Sequence, residues 1–205
     1  MRAGIVGLGL IGGSFAKAYS EAGHEVLAFD RNESVLSFAQ IEGAVSAPLT
    51  KENIGTCDIV LVAIYPEAAI AYVTQMAPYI GKKPMVIDCC GTKRVVCRAL
   101  FPLAQEHGFT YLGGHPMAGT AHSGWPAGHA ELFVGAPWVI SVDDHVDPTV
   151  FTQVLEGLRN GNEEMGIAAV RNANAQVALE QSANQWARMK KDADAILASS
   201  RNLFA

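Results

Sequence analysis

Basic side chains are scarce in this sequence: 15 Lys and Arg stand against 20 Asp and Glu, a formal net charge of -5. No long run of Lys or Arg occurs, so the electrostatic footprint of a nucleic-acid-binding protein is missing. Long apolar stretches are missing too. The longest, around Ile59 to Ile64, falls far short of the roughly twenty residues a membrane-spanning helix needs. Cysteine is sparse, with Cys57, Cys89, Cys90 and Cys97 forming no C-x-x-C pair, which argues against a zinc or dithiol redox site and for small buried residues in a reducing compartment. A first apolar run that begins at Ala3 leaves no room for a signal peptide, and the expectation is a cytoplasmic protein. With half of its 205 residues hydrophobic and 17% charged, the chain has enough apolar surface for a sizeable core.

What is present is organised around Met1 to Asp30, MRAGIVGLGLIGGSFAKAYSEAGHEVLAFD. The apolar run Ala3 to Val6 leads directly into Gly7-Leu8-Gly9-Leu10-Ile11-Gly12, after which Phe15, Ala16 and Tyr19 recur at helical spacing. This is the pattern of strand, glycine turn and helix. Gly7 allows the tight turn, Gly9 lets backbone N–H groups approach a pyrophosphate, and Gly12 allows close packing of helix on strand. The helix would aim its unpaired N–H groups and positive dipole end at the phosphates. A second apolar run, Val26 to Phe29, ends in Asp30, where a carboxylate can accept ribose hydroxyls. Its charge would repel a 2′-phosphate and favours NAD over NADP, although the guanidinium of Arg31 could pair with such a phosphate.

Further along, Glu33 to Gln40 reads as a short helix and Pro48 to Gly55 as a loop or single turn. Cys57 to Ile64 has the nearly continuous, β-branched character of a strand covered on both faces. Pro66 then suits the first turn of a helix through about Met76. Ala63, Ile64 and Tyr65, at that strand end, are candidates to pack on a dinucleotide. Met85 to Asp88 is the next strand, Lys93 to His107 a helix stopped by Gly108, and Thr110 to Leu112 a short strand. Trp138 to Val142 and Pro148 to Leu158 read as another strand and helix. The alternation specifies an α/β, doubly wound, mostly parallel Rossmann-like sheet over residues 1–158. The Gly- and Asn-rich Gly157 to Asn162 reads as a linker. In 159–205, Leu179, Trp186, Met189, Ala193, Ile196 and Leu203 form one stripe of a long helix, to be buried either by docking back on the sheet domain or, as favoured here, by a homodimer through this extension.

Between the last two strands, GGHPMAGTAHSG (Gly113 to Gly124) looks too rich in Gly and Pro for a regular element, and loops so placed tend to carry function. His115, set between Gly114 and Pro116, could take a proton from a hydroxyl whose carbon loses hydride to a nicotinamide. His115, His122 and His129 are evenly spaced, but the intervening Gly119, Gly124 and Pro126 forbid the helix that would align them, and no metal is expected.

GLGLIGGS, DCCGTK (Asp88 to Lys93), GGHPMAGT (Gly113 to Thr120) and LFVGAPWV (Leu132 to Val139) together resemble the prephenate and arogenate dehydrogenases of tyrosine biosynthesis. The resemblance runs from Met1 to about Leu158. It implies NAD-dependent oxidation of a ring hydroxyl coupled to loss of the ring carboxylate, turning a small-molecule substrate, prephenate or arogenate, into 4-hydroxyphenylpyruvate or tyrosine. His115 matches the family's catalytic histidine, and Gly119 and Thr120 fall in its substrate pocket. Gly91 stands where the family often has a serine that helps orient the histidine, which leaves Thr92 or a backbone group for that task. Family members continue into a larger helical domain with an arginine for a substrate carboxylate. Only about forty-five residues follow the linker here, with Arg94, Arg171 and Arg188 as available guanidinium groups. Two alternatives stay open: a dinucleotide-binding module without a complete substrate site, or a dehydrogenase for another small hydroxy acid or imine that uses the Lys190-Lys191-Asp192 cluster.

Overall fold

The computed structural model describes residues 1–142. In chain order the elements are β1 (Arg2–Val6), α1 (Leu10–Glu21), β2 (Glu25–Phe29), α2 (Glu33–Ile41), β3 (Ala47–Pro48), β4 (Ile59–Val62), α3 (Pro66–Ile80), β5 (Met85–Asp88), α4 (Lys93–His107), β6 (Thr110–Pro116) and β7 (Trp138–Ser141). Single 3-10 turns cover Ile54–Thr56, Trp125–Ala127 and Ala130–Phe133. Among the described residues no helix is long and apolar enough to cross a membrane.

The sheet runs β3-β2-β1-β4-β5-β6-β7. All pairings are parallel except the last, where β7 runs antiparallel to β6. The order reverses direction between β1 and β4, the switch point where ligands settle in open α/β sheets. Strand residues alternate between two apolar layers, as the two-residue period requires. Val6, Val60, Val62, Val86 and Tyr111 pack with α3 and α4. Ile5, Leu61, Ile87 and Leu112 pack with α1, α2 and Trp125. Both faces are therefore covered, which explains why these strands read as continuous apolar runs.

Local chemistry sets the element ends. Asn32 caps α2, its Oδ1 accepting from the Ser34 N–H at 3.1 Å. Pro66 opens α3 at a position that needs no donor, and Gly108 closes α4 in the left-handed region at φ +74°. α3 runs past the expected Met76 and through Pro78 to Ile80. Burial of Ala77 and Ile80 in that last turn offsets the hydrogen bond the proline removes. The expected loop at Pro48 to Gly55 contributes a two-residue edge strand, Ala47 and Pro48 pairing with Leu27 and Ala28.

The main correction concerns β6. The Gly-rich stretch expected to leave the sheet at Gly113 stays in it through Pro116, with Gly113, Gly114, His115 and Pro116 paired to Ser141, Ile140, Val139 and Trp138. Glycine serves close packing here rather than a loop. A Cβ on Gly114 would stand 2.5 Å from the Asp88 carbonyl oxygen and one on Gly113 2.6 Å from Cys97 Sγ. The helix expected at Pro148 to Leu158, the linker, the 179–203 stripe, Arg171, Arg188 and the Lys190-Lys191-Asp192 cluster lie outside the described residues.

Candidate active site

The C-terminal ends of β1, β4, β5 and β6 share one edge of the sheet, because these four strands are parallel. At the first of them the chain turns at Gly7, φ +90°. A Cβ there would meet Ile64 Cγ2 at 2.4 Å, and one on Gly12 would lie 1.8 Å from the Gly7 carbonyl oxygen. Both glycines are thus demanded by packing. Gly9 differs: among the described residues nothing stands within 4 Å of its would-be Cβ, so there the space over the middle of the turn is open. Gly9 is also the N-cap of α1, which has no side-chain cap and no acid in its first turn. An uncapped helix start facing open space suits an anion, and the fit to a pyrophosphate is good.

Leu8 is buried, 1% exposed, so its side chain belongs to the core. Its N–H points to Asp30, whose Oδ2 accepts it at 2.7 Å. Asp30 Oδ1 takes the Asn32 N–H at 2.8 Å. The carboxylate therefore braces the glycine turn as well as ending β2, and each oxygen keeps a lone pair for a further donor. Arg31 beside it is exposed, while Leu10, Ile11, Ala63 and Ile64 are half-buried along the turn and β4 end. Tyr65 is 87% exposed.

From the glycine turn a continuous wall leads to the histidine. Gly7 abuts Ile64. The Ile64 carbonyl accepts from Cys90 Sγ at 3.4 Å, and the Cys89 N–H reaches the Val62 carbonyl at 2.9 Å. Gly91 follows, and a Cβ on it would lie 3.7 Å from His115 Nε2. The ring is half-buried at the end of β6. Gly91 and His115 are brought together; Thr92 and Arg94, both exposed at the start of α4, are less intimate. Among the described residues no hydrogen bond joins the Thr92 hydroxyl to the imidazole. Gly119 and Thr120 are exposed, and the Thr120 hydroxyl closes a local turn, donating to the His122 carbonyl at 2.8 Å. Burial pushes the Cys90 thiol up to about 12, Asp88 adding to the effect, and pushes Cys89 up as well, so neither is a nucleophile at neutral pH. Among the described residues no three His, Cys, Asp or Glu side chains converge as metal ligands.

Two features escaped sequence reasoning. Asp88, fully buried, accepts from the Cys90 N–H at 2.9 Å, the Tyr111 hydroxyl at 2.7 Å, the Gly114 N–H at 3.3 Å and the Lys93 ammonium. Burial, then Asp88, drives the Tyr111 hydroxyl far above its usual range. An acid closing an otherwise apolar strand, with a lysine five residues on, was the available signal. The second feature is a strap across α1. Trp125 is buried and donates to Glu42 Oε2 at 3.0 Å. The His129 N–H meets the buried Ser14 Oγ at 3.0 Å, Lys17 reaches the Gly128 carbonyl at 2.9 Å, and Phe133 stacks on Phe15 at 4.0 Å. The segment after His115 is thereby fastened to the helix that starts at the glycine turn.

The family model described as prephenate dehydrogenase, nucleotide-binding domain, matches residues 15–165. The prephenate dehydrogenase of Lactococcus lactis subsp. cremoris is 32% identical over 160 residues, 75% of this chain and 43% of that protein. The cyclohexadienyl dehydrogenase of Zymomonas mobilis is 30% identical over 156 residues, 74% of this chain and 53% of the relative. Among solved structures, Synechocystis arogenate dehydrogenase superposes with a TM-score of 0.67 at 27% identity, covering 83% of this chain and 59% of its own. The chain spans about half the length of the curated relatives it matches. Fold, glycine turn and sequence match agree, and the chain belongs to the prephenate dehydrogenase family through its nucleotide-binding domain.

Proposed function

We propose that the chain binds NAD at the glycine turn and uses His115 as the proton acceptor in oxidative decarboxylation of prephenate or arogenate. The observation that carries this reading is the wall from Gly7 through Ile64 and Cys90 to Gly91 and His115, which puts the imidazole on the same sheet edge as the glycine turn. Bound NAD would supply the hydride acceptor. The chain's own part is to bind and orient. The α1 start holds the pyrophosphate, Asp30 holds the ribose and disfavours a 2′-phosphate, and Ala63, Ile64 and Tyr65 support the dinucleotide along β4. His115, neutral, accepts the proton of the ring hydroxyl as hydride leaves the carbon bearing it. Carbon dioxide departs from the opposite ring carbon and the ring becomes aromatic, as 4-hydroxyphenylpyruvate or tyrosine.

Gly119 and Thr120 border the substrate, and Arg94 and Arg171 are the guanidinium groups proposed for its carboxylates. Pairing of two copies through the 179–203 stripe is proposed as the assembly, in the cytoplasm. Mixing prephenate or arogenate with NAD and protein should raise NADH absorbance. His115→Ala should cost about 10²- to 10⁴-fold in turnover while NAD still raises the melting temperature. Equal turnover by variant and wild type would remove His115 from the chemistry. A melting shift with NAD but no turnover of either substrate would leave only a cofactor-binding module.

A further inference from the structure

The proposed chemistry needs a ring held at one place, and among the described residues the strand supporting β6 from the far side is β7. On its inner side β5 has already ended: Asp88 pairs with Gly113, and the chain then turns through Cys89 and Cys90. Gly114, one residue before the histidine, therefore has no β5 residue opposite it. Two side chains take that place. Asp88 Oδ2 accepts the Gly114 N–H at 3.3 Å, and the Lys93 ammonium donates to both Asp88 Oδ1 and the Gly114 carbonyl.

We propose that Asp88 and Lys93 are a positioning pair for His115, holding Gly114 by both of its backbone groups so that the imidazole stays against Gly91. This deepens the proposed function and rests on it for the catalytic consequence, though not for the structural one. The pair is built for rigidity. Asp88 has no solvent exposure and the Lys93 side chain is 18% exposed. The carboxylate has four donors for its lone pairs, with Tyr111 and Cys90 completing the set, so no other orientation satisfies it as well. Replacement of Gly114 is blocked, since a Cβ would strike the Asp88 carbonyl oxygen, and the backbone is thereby kept close enough for both contacts. Among the described residues Lys93 makes no hydrogen bond to the imidazole, and its influence passes through the Gly114 peptide unit.

The test compares wild type with Lys93→Gln and with the neutral pair Asp88→Asn/Lys93→Gln, which avoids leaving a buried carboxylate uncompensated. Histidine carbethoxylation by diethyl pyrocarbonate is followed residue by residue by mass spectrometry. The expected result is a several-fold faster reaction at His115 in both variants, with His122 and His129 unchanged. In turnover assays kcat should fall roughly 100-fold, the order expected for a misplaced catalytic group, while KM and the melting shift given by NAD stay near wild type. Unchanged reactivity of His115 in the folded double variant would overturn the proposal, as would a uniform rise across all histidines. Absence of turnover in wild type would instead count against the proposed function, and the carbethoxylation result would still decide this inference.

Discussion

The imidazole Nε2 of His115 lies 3.7 Å from the point where a side chain on Gly91 would begin. A serine hydroxyl at that position would sit within hydrogen-bond reach of the ring. No left-handed backbone excludes a side chain at Gly91, and among the described residues, its chain neighbours aside, only the His115 ring stands within 4 Å of that Cβ. Gly91→Ser should therefore fold normally and raise kcat several-fold, by fixing the ring's orientation and tautomer. A steady-state comparison of the variant with wild type on prephenate checks this, and a fall in kcat would mean that the ring is oriented from elsewhere.

Two glycines of the turn should fail in different ways. Gly12→Ala places a methyl 1.8 Å from the Gly7 carbonyl oxygen, and α1 must shift away from β1, so both melting temperature and NAD affinity should drop. Gly9→Ala meets nothing among the described residues. It should melt within a degree or two of wild type, since open surface sites cost within about 0.5 kcal/mol, yet lose NAD binding by intruding on the space a pyrophosphate needs. Calorimetry with and without NAD separates the two outcomes.

Loss of the strap should be costly. Trp125 fills the space over Gly13, its ring carbon 3.0 Å from a would-be Cβ, and its Nε1 is satisfied by Glu42. Trp125→Ala should destabilise by about 3–5 kcal/mol. Trp125→Phe, which keeps the ring but not the donor, should cost nearer 1 kcal/mol. Denaturant midpoints measured at constant m check both values.

The buried thiols predict an alkaline limit to stability. Burial pushes Cys57 up to about 11 and Cys90 up to about 12, above the roughly 8.5 of a free thiol. A group whose folded value is raised contributes stability that is complete below its unfolded value and is lost as pH rises towards its folded one. Stability should thus be flat near neutrality and fall from about pH 8.5 upward, with Tyr111 and Tyr72, also raised, steepening the loss above about pH 10. Unfolding followed against pH should show a shallower alkaline slope in Cys57→Ala/Cys90→Ala. An unchanged slope would assign the loss to other groups.

Much of the molecule was legible in order along the chain because its signals are local. The glycine turn, the apolar runs of β1, β4 and β5, Pro66 at the start of α3 and Gly108 at the end of α4 each depend on a few adjacent residues. So does the pairing of a strand end with Asp30, which a fixed spacing announces. The brace from Asp30 to the Leu8 N–H was not legible, because it joins residues 22 apart through the fold.

By itself, then, the sequence determined the sheet class and the glycine turn between β1 and α1. Tertiary structure decided where His115 stands. Pairing with β7 drew Gly113 to Pro116 into the sheet against the loop-like composition of the segment, and Asp88 and Lys93 filled the gap left where β5 stops. Such choices depend on which strands become neighbours. Backbone donors left open at a strand end must find partners wherever the fold supplies them, and sequence spacing carries no record of which side chain that will be.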